Sequence, residues 1–297
     1  MRLITSILLS LSLSSCCWFG ECEDTPTEPE VQLPEFTNSP KVSNLNVDEL
    51  DEVSGMGASF LFPGHLWLME DSGTEPKIDL IRQDGTYARK VTFGGRNRDW
   101  EDMAVAPGPV DGKKYIYIGE TGDNNAIYKD YYIYRFEEPS GTHVSQYETI
   151  HFRYPNGESY DAETIMVDPW TKDIFVITKN QLNVRVYRLA YPQNTNGLNE
   201  AEFLGTIKYF LVVSGDVSED GTEVLLKSYS TLYYWKRKEG ETLMDVLKRS
   251  HDMTVPYVLE PQGESVCWSA NADGYYTISE KGENMTKNPP LYFYMRK

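Results

Sequence analysis

Val53-Ser54-Gly55-Met56, Trp100-Glu101-Asp102-Met103, Ala162-Glu163-Thr164-Ile165, Ser214-Gly215-Asp216-Val217 and Gly263-Glu264-Ser265-Val266 are five versions of one phrase, a polar or acidic entry into an apolar strand. Their apolar positions, Met56, Met103, Ile165, Val217 and Val266, are separated by 47, 62, 52 and 49 residues. Repetition near 50 residues is the mark of arrays whose units cannot bury a core alone. Between the phrases the hydrophobic pattern breaks into short strands punctuated by turns. The second unit reads as strands at 103–106, 115–119, 131–136 and 149–154, and the third at 165–167, 174–178, 185–189 and 203–209. Asp84-Gly85, Asp111-Gly112, Asp220-Gly221 and Asp273-Gly274 supply tight turns.

Four strands per unit is the make-up of a propeller blade. The last unit has three, at 266–268, 275–279 and 291–295, and residues 41–46 ahead of the first unit supply one more. Placing that strand on the outer edge of the last blade closes the ring and pairs an edge otherwise exposed. The expectation is an all-β, five-bladed β-propeller closed by its N-terminal strand and spanning residues 36–297, with six blades as the alternative. A helical interruption over 242–249, with Leu243, Val246 and Leu247 on one side, falls within the fourth blade.

Composition narrows the function. The 297 residues carry 28 Lys+Arg against 45 Asp+Glu, a formal charge of −17, and 40% are hydrophobic. That apolar content excludes a disordered chain. Without clustered Lys or Arg a phosphate backbone finds no counter-charge, which excludes nucleic acid as a partner. Arg2 followed by the apolar and serine run 3–13 has the form of a secretory signal, too short to span a bilayer. Leu13-Ser14-Ser15-Cys16 resembles a bacterial lipobox. The resemblance implies cleavage after residue 15 and acylation of Cys16, an anchor that needs no transmembrane helix. Residues 1–15 are read as that signal and 16–35, rich in acid and proline, as an extended tether. The expected location is the bacterial cell envelope, on the outer membrane and either periplasmic or surface-exposed. The expected state is a monomer that meets the membrane through its lipid. The four cysteines have no zinc spacing, and Cys267 reads as a buried core thiol.

Topology places the chemistry. Within a blade the first strand lines the channel and the second runs antiparallel to it, so the start of one and the end of the other share a face. Ser54, Glu101, Glu163, Ser214 and Glu264, one per blade, are expected at the channel mouth as metal ligands. Carboxylates converging there repel unless a cation joins them, and hard oxygens suit calcium; a water-filled polar channel is the other reading. Second-strand ends and the turns beyond them bring Asp71, Glu120, Asp123, Asn124, Lys179, Lys227, Tyr229 and Glu280, while Arg96 and Arg98 arrive on the loop into the second blade. The register of Asp216 against Ser214 is open by one residue. None of His65, His143, His151 and His251 falls at the mouth, which counts against a Ser-His-Asp site and against zinc or iron.

The series Ser, Glu, Glu, Ser, Glu resembles the calcium site of the five-bladed calcium-dependent apyrases. Ser54-Gly55-Met56, Asp161-Ala162-Glu163-Thr164-Ile165, Gln262-Gly263-Glu264-Ser265-Val266 and Ser279-Glu280 look like phrases of bacterial phytase-like and esterase-like propellers. On the residues themselves, the enzyme reading is metal-assisted hydrolysis of a phosphoester or related anionic small molecule. Glu101, Asp123 or Glu163 would orient water, and Lys179, Lys227, Arg96 or Arg98 would neutralise developing charge. Asp71, Glu120, Asn124, Tyr229 and Glu280 would contact the ligand. The alternative is a non-catalytic module for a surface glycan, peptide or partner protein, with Tyr128, Tyr131 and Tyr132 as an aromatic shelf.

Overall fold

Each of the five phrases becomes the innermost strand of its own small sheet in the computed structural model, which describes residues 32–47, 50–179, 182, 184–281 and 288–297. A lone N-terminal strand, β1 (Lys41–Asn44), precedes blade one, β2 (Val53–Ala58), β3 (His65–Glu70), β4 (Lys77–Arg82) and β5 (Tyr87–Phe93). Blade two holds β6 (Trp100–Pro107), β7 (Lys114–Glu120), β8 (Tyr131–Glu137), β9 (His143–Val144) and β10 (Glu148–Arg153). Blade three holds β11 (Thr164–Val167), β12 (Ile174–Ile177), β13 (Val184–Leu189), β14 (Leu198–Glu200) and β15 (Glu202–Ile207). Blade four is β16 (Val212–Val217), β17 (Glu223–Ser228), β18 (Leu232–Lys236), the helix α1 (Leu243–Lys248) and β19 (Met253–Thr254). Blade five is β20 (Ser265–Trp268), β21 (Gly274–Ile278) and β22 (Pro290–Met295).

The inner strands β2, β6, β11, β16 and β20 pack in that order and return to β2, which makes a five-bladed propeller. Second strands such as Leu66-Trp67-Leu68-Met69 and Val224-Leu225-Leu226 are apolar on both faces because a neighbouring blade covers each side. The ring closes as the strand count requires: β1 runs antiparallel to β22, with Lys41 opposite Phe293 and Asn44 opposite Pro290. Two short strands also cross between blades. β9 pairs parallel with β5 of blade one, and β14 pairs parallel with β10 of blade two, so the outer edges of those two sheets are covered by chain from the next blade.

Buried polar anchors pin neighbouring blades together on their outer parts. Glu138 of blade two accepts from the Phe60 and Leu61 amides at 3.2 and 3.0 Å and from Trp67 Nε1 at 2.9 Å. Arg237 of blade four forks onto Asp168 of blade three at 2.8 and 2.9 Å, with its guanidinium 3.6 Å from the Trp170 ring. Arg296 of blade five reaches Glu223 of blade four at 2.6 and 3.1 Å. Helix α1 begins at Thr242, whose hydroxyl and the Asp245 carboxylate cap each other's amides. Its Leu243, Met244, Val246 and Leu247 are buried against the core between blades three and four. Gly85 has φ +86°, and the Asn44 carbonyl lies where a Cβ would stand, so this turn needs glycine. The Asp273-Gly274 turn differs from expectation. Ala272 takes the left-handed conformation, at φ +53°, and Gly274 already belongs to β21.

Candidate functional site

A distortion repeated in every blade turns one side chain toward the axis, an acid in blades two, three and five. In β2, β6 and β16 a bulge leaves Ser54, Glu101 and Val213 without a cross-strand partner. In blades three and five the amides of Lys179 and Glu280 bond to the carbonyls of Asp161 and Gln262, each at 3.1 Å. With Thr164 opposite Ile177 and Ser265 opposite Ile278, two residues face one, and Glu163 and Glu264 are the extra residues. A bulge re-aims the side chain of the extra residue. The equivalent positions are therefore Ser54, Glu101, Glu163, Val213 and Glu264.

The fourth-blade expectation is corrected by one residue: Val213, not Ser214, holds the entry position. Ser214 lies one step deeper, where its hydroxyl donates to Asp102 Oδ1 and accepts from the Val266 amide, both at 3.3 Å. Blades two and four are not neighbours, so the Asp102–Ser214 bond crosses the axis and floors the mouth. Asp102 also accepts from the Ile165 and Met103 amides at 3.1 and 2.9 Å. Deeper still, Asp216 accepts from the Trp268 and Val217 amides, both at 2.8 Å. Ser54 donates to the Trp100 carbonyl at 3.2 Å.

Above that floor the carboxylates gather. Oxygens of Asp71, Asp99 and Glu101 lie within 4.8 Å of one another, and so do those of Glu101, Asp161 and Glu163. Glu101 belongs to both triads, is 3% exposed and accepts no hydrogen bond from the described residues. Burial, with Glu163, Asp71, Asp99 and Asp161 adding repulsion, pushes its carboxyl well above the usual range. Asp71 is pushed up to about 7, by burial first, against the Ser72 amide and with Asp99, Glu264 and Glu52 adding. Lys179 enters this well at 2.5 Å from Glu163 and 3.6 Å from Glu264, its ammonium 5.4 Å from the Tyr229 ring. Burial alone would lower its pKa, but the charges of Glu163 and Glu264 hold it above the usual lysine range. Tyr229 donates to Glu264, and Glu280, raised by burial and by Glu264, accepts from Gln262 Nε2 at 2.5 Å.

Two residues expected in catalytic roles are occupied elsewhere. The Asp123 carboxylate accepts from the Ile127 and Tyr128 amides, both at 2.9 Å, and from Tyr131 at 2.7 Å, so it holds its own loop together. Lys227 is wholly buried behind the mouth, bonded to Tyr257 at 2.9 Å and to the Gly263 carbonyl, with Glu260 at 3.9 Å. Burial lowers its pKa. Arg98 packs 3.9 Å over the Tyr128 ring and 3.8 Å from Glu120, which itself accepts from Tyr134 at 3.0 Å. Arg96 and Asn124 are exposed. The aromatic shelf does not form as expected, because Tyr131 is fully buried. Cys16 lies outside the described residues, as do Cys17 and Cys22; Cys267 is a buried free thiol.

Asp99 and Asp161 were not among the expected ligands, yet a signal for them exists. Each stands two residues before a bulge glutamate, in Asp99-Trp100-Glu101 and Asp161-Ala162-Glu163. The loop Gly119–Asn125 braces both. The Asp123 amide donates to Asp161 at 2.9 Å, Thr121 donates to the Ala162 carbonyl at 2.6 Å, and the Gly122 amide bonds the Asp99 carbonyl at 3.2 Å. A Cβ on Gly122 would stand 2.1 Å from Glu101 Oε1 and 2.6 Å from Asp99 Oδ2, so glycine lets the backbone meet both acids.

No protein-family model matches the sequence, and no curated protein matches it. Among solved structures the chain is similar to hydrazine synthase of Kuenenia stuttgartiensis, with a TM-score of 0.46 and 10% identity over 82% of this chain and 83% of that one. Among the described residues, no helix is long and apolar enough to cross a membrane.

Proposed function

We propose that the channel mouth is a calcium site and that the protein, held to a bacterial envelope by lipid on Cys16, uses it to hydrolyse a phosphoester or related anion. The observation that carries this is Glu101, buried at the junction of two carboxylate triads with no hydrogen-bond donor among the described residues. An all-oxygen set of buried carboxylates suits a hard cation that takes six to eight oxygens. Without a cation the acidic well would repel an anionic substrate. A bound ion would supply the counter-charge and polarise a phosphoryl oxygen. In this reading Glu101 or Glu163 would orient water, and Lys179 would meet substrate charge once Glu163 turns to the ion; a Glu101 bound to metal through both oxygens leaves that role to Glu163. Of the apyrase-like series, Ser54, Glu101, Glu163 and Glu264 keep the entry position, while the fourth blade offers Val213 there.

A second reading, calcium-dependent capture without turnover, draws support from the structural employment of Asp123 and Lys227. It also draws on exposed Ile127, Leu182 and Leu259, at 63, 83 and 71%, on loops of the mouth face. A panel of phosphomonoesters and diesters assayed with calcium and with chelator separates the two. Turnover that chelator abolishes and Glu163→Gln removes supports the hydrolase. Calcium binding with no turnover across the panel favours capture, and calcium-independent turnover contradicts both.

A further inference from the structure

We infer that the mouth holds two divalent cations, one enclosed and one open, bridged by the Glu101 carboxylate. This rests on the calcium reading above and deepens it. The two triads are different environments that share one residue. Glu101, Asp161 and Glu163 are all buried, whereas Asp71 and Asp99 are partly exposed. A carboxylate has two oxygens and can offer one to each ion, and Glu101 has no other employment among the described residues. Its unpartnered, 97% enclosed position is the independent sign of a ligand. A carboxylate this enclosed is kept where an ion or water satisfies it.

Charge argues for the second ion. Asp71, Asp99, Glu101, Asp161, Glu163, Glu264 and Glu280 gather at the mouth, and Lys179 is the ammonium that enters among them. A single divalent ion in the enclosed triad leaves Asp71 and Asp99 facing each other, with only the Arg98 charge among the described residues opposing Asp99. The enclosed site is built like a structural one: Asp161 is fixed by the Asp123 amide, Glu163 comes from a bulge, and Lys179 stands ready to shift toward Glu264. The open site has the Gly122 backbone packed against Glu101 and Asp99 on one wall, and its partly exposed Asp71 and Asp99 leave the other side to water and substrate. Paired ions in two-metal sites lie about 3.5–4 Å apart, a span one bridging carboxylate covers. The enclosed ion thus organises Glu101, and the open ion meets substrate.

Calcium titration calorimetry of the full chain, paired with electron paramagnetic resonance of the manganese-loaded protein, tests this. The expected result is two ions per chain and an exchange-coupled manganese spectrum. Asp99→Asn is expected to leave one ion and an uncoupled spectrum, and Glu101→Gln to abolish the coupling, with a melting curve showing that each variant folds. One ion per chain with an uncoupled spectrum in the unaltered protein overturns the bridged pair and leaves the single-ion reading standing. No binding of either metal overturns both. A coupled spectrum that survives Glu101→Gln removes Glu101 as the bridge.

Discussion

Glu101 and Lys227 are both buried charged residues, and they illustrate opposite uses of burial. Lys227 has donors and acceptors around it: Tyr257, the Gly263 carbonyl and, further off, Glu260, which itself accepts from Thr277 at 2.9 Å. Removing one member of such a set strands the other, which is among the costlier single changes. Lys227→Ala is therefore expected to lose about 3 kcal/mol in urea unfolding, with calcium affinity changed little in the fraction that folds. Full stability with lost calcium binding would instead return Lys227 to the mouth. Glu101 has the reverse character, since among the described residues it has neighbouring carboxylates and no donor. Glu101→Gln removes a repelling charge, so in chelator the variant is expected to melt above the unaltered protein, and in calcium below it. A variant that melts lower under both conditions would show that Glu101 is an ordinary structural residue. Sequence pattern made Glu101, Glu163 and Glu264 legible because each opens an apolar strand. It could not distinguish Ser214 from Val213, because a bulge shifts register by one without leaving a mark in hydrophobic order.

Single elements decide whether the ring exists at all. Strand β1 and the residues before it join the two ends of the chain: Phe36 bridges to Arg296, and its ring packs 5.0 Å from Tyr275, 6.1 Å from Trp268 and 6.3 Å from Tyr234. Phe36→Ala is expected to cost about 3–5 kcal/mol, the range for emptying a buried aromatic site, read as a lower urea midpoint. An unchanged midpoint would mean that the closure is dispensable. The closing strand and the helical interruption could be read from sequence because each is local. One completes a strand count, and the other shows a helical apolar stripe behind a threonine cap. The lent strands β9 and β14 could not be read, since two or three residues pairing parallel with another blade carry no periodicity of their own. The loop Gly119–Asn125 stood out in the sequence, but whether Asp123 faced solvent or its own amides depended on the path of residues 124–131. At this scale Gly122→Ala is expected to weaken calcium binding at least tenfold, because the new methyl would press on Glu101 and Asp99. Unchanged affinity would place the ion elsewhere.

Across the whole molecule the acids at the mouth set how stability responds to pH. In the folded protein the carboxyls of Glu101, Asp71 and Glu280 all lie above their ordinary values, chiefly through burial. A raised carboxyl binds more protons in the folded state, so its contribution is present below the unfolded value and lost as pH climbs through the folded one. Chelated protein is accordingly expected to melt higher near pH 5 than near pH 8, and saturating calcium is expected to shrink that difference. Above pH 8 the depressed Lys227 acts the other way, so the comparison belongs below that point. A chelated melting temperature that rises from pH 5 to 8 would contradict the assignment of uncompensated acid to the mouth. The most direct test of the central claim, that the mouth is a cation site, is the melting curve of the full chain stripped by chelator and titrated with calcium. A site filled to 100 times its dissociation constant adds about 2.7 kcal/mol, or roughly 5–10 °C at this chain length. The account predicts a saturable rise of that size that Glu163→Gln removes. No rise at millimolar calcium would contradict it.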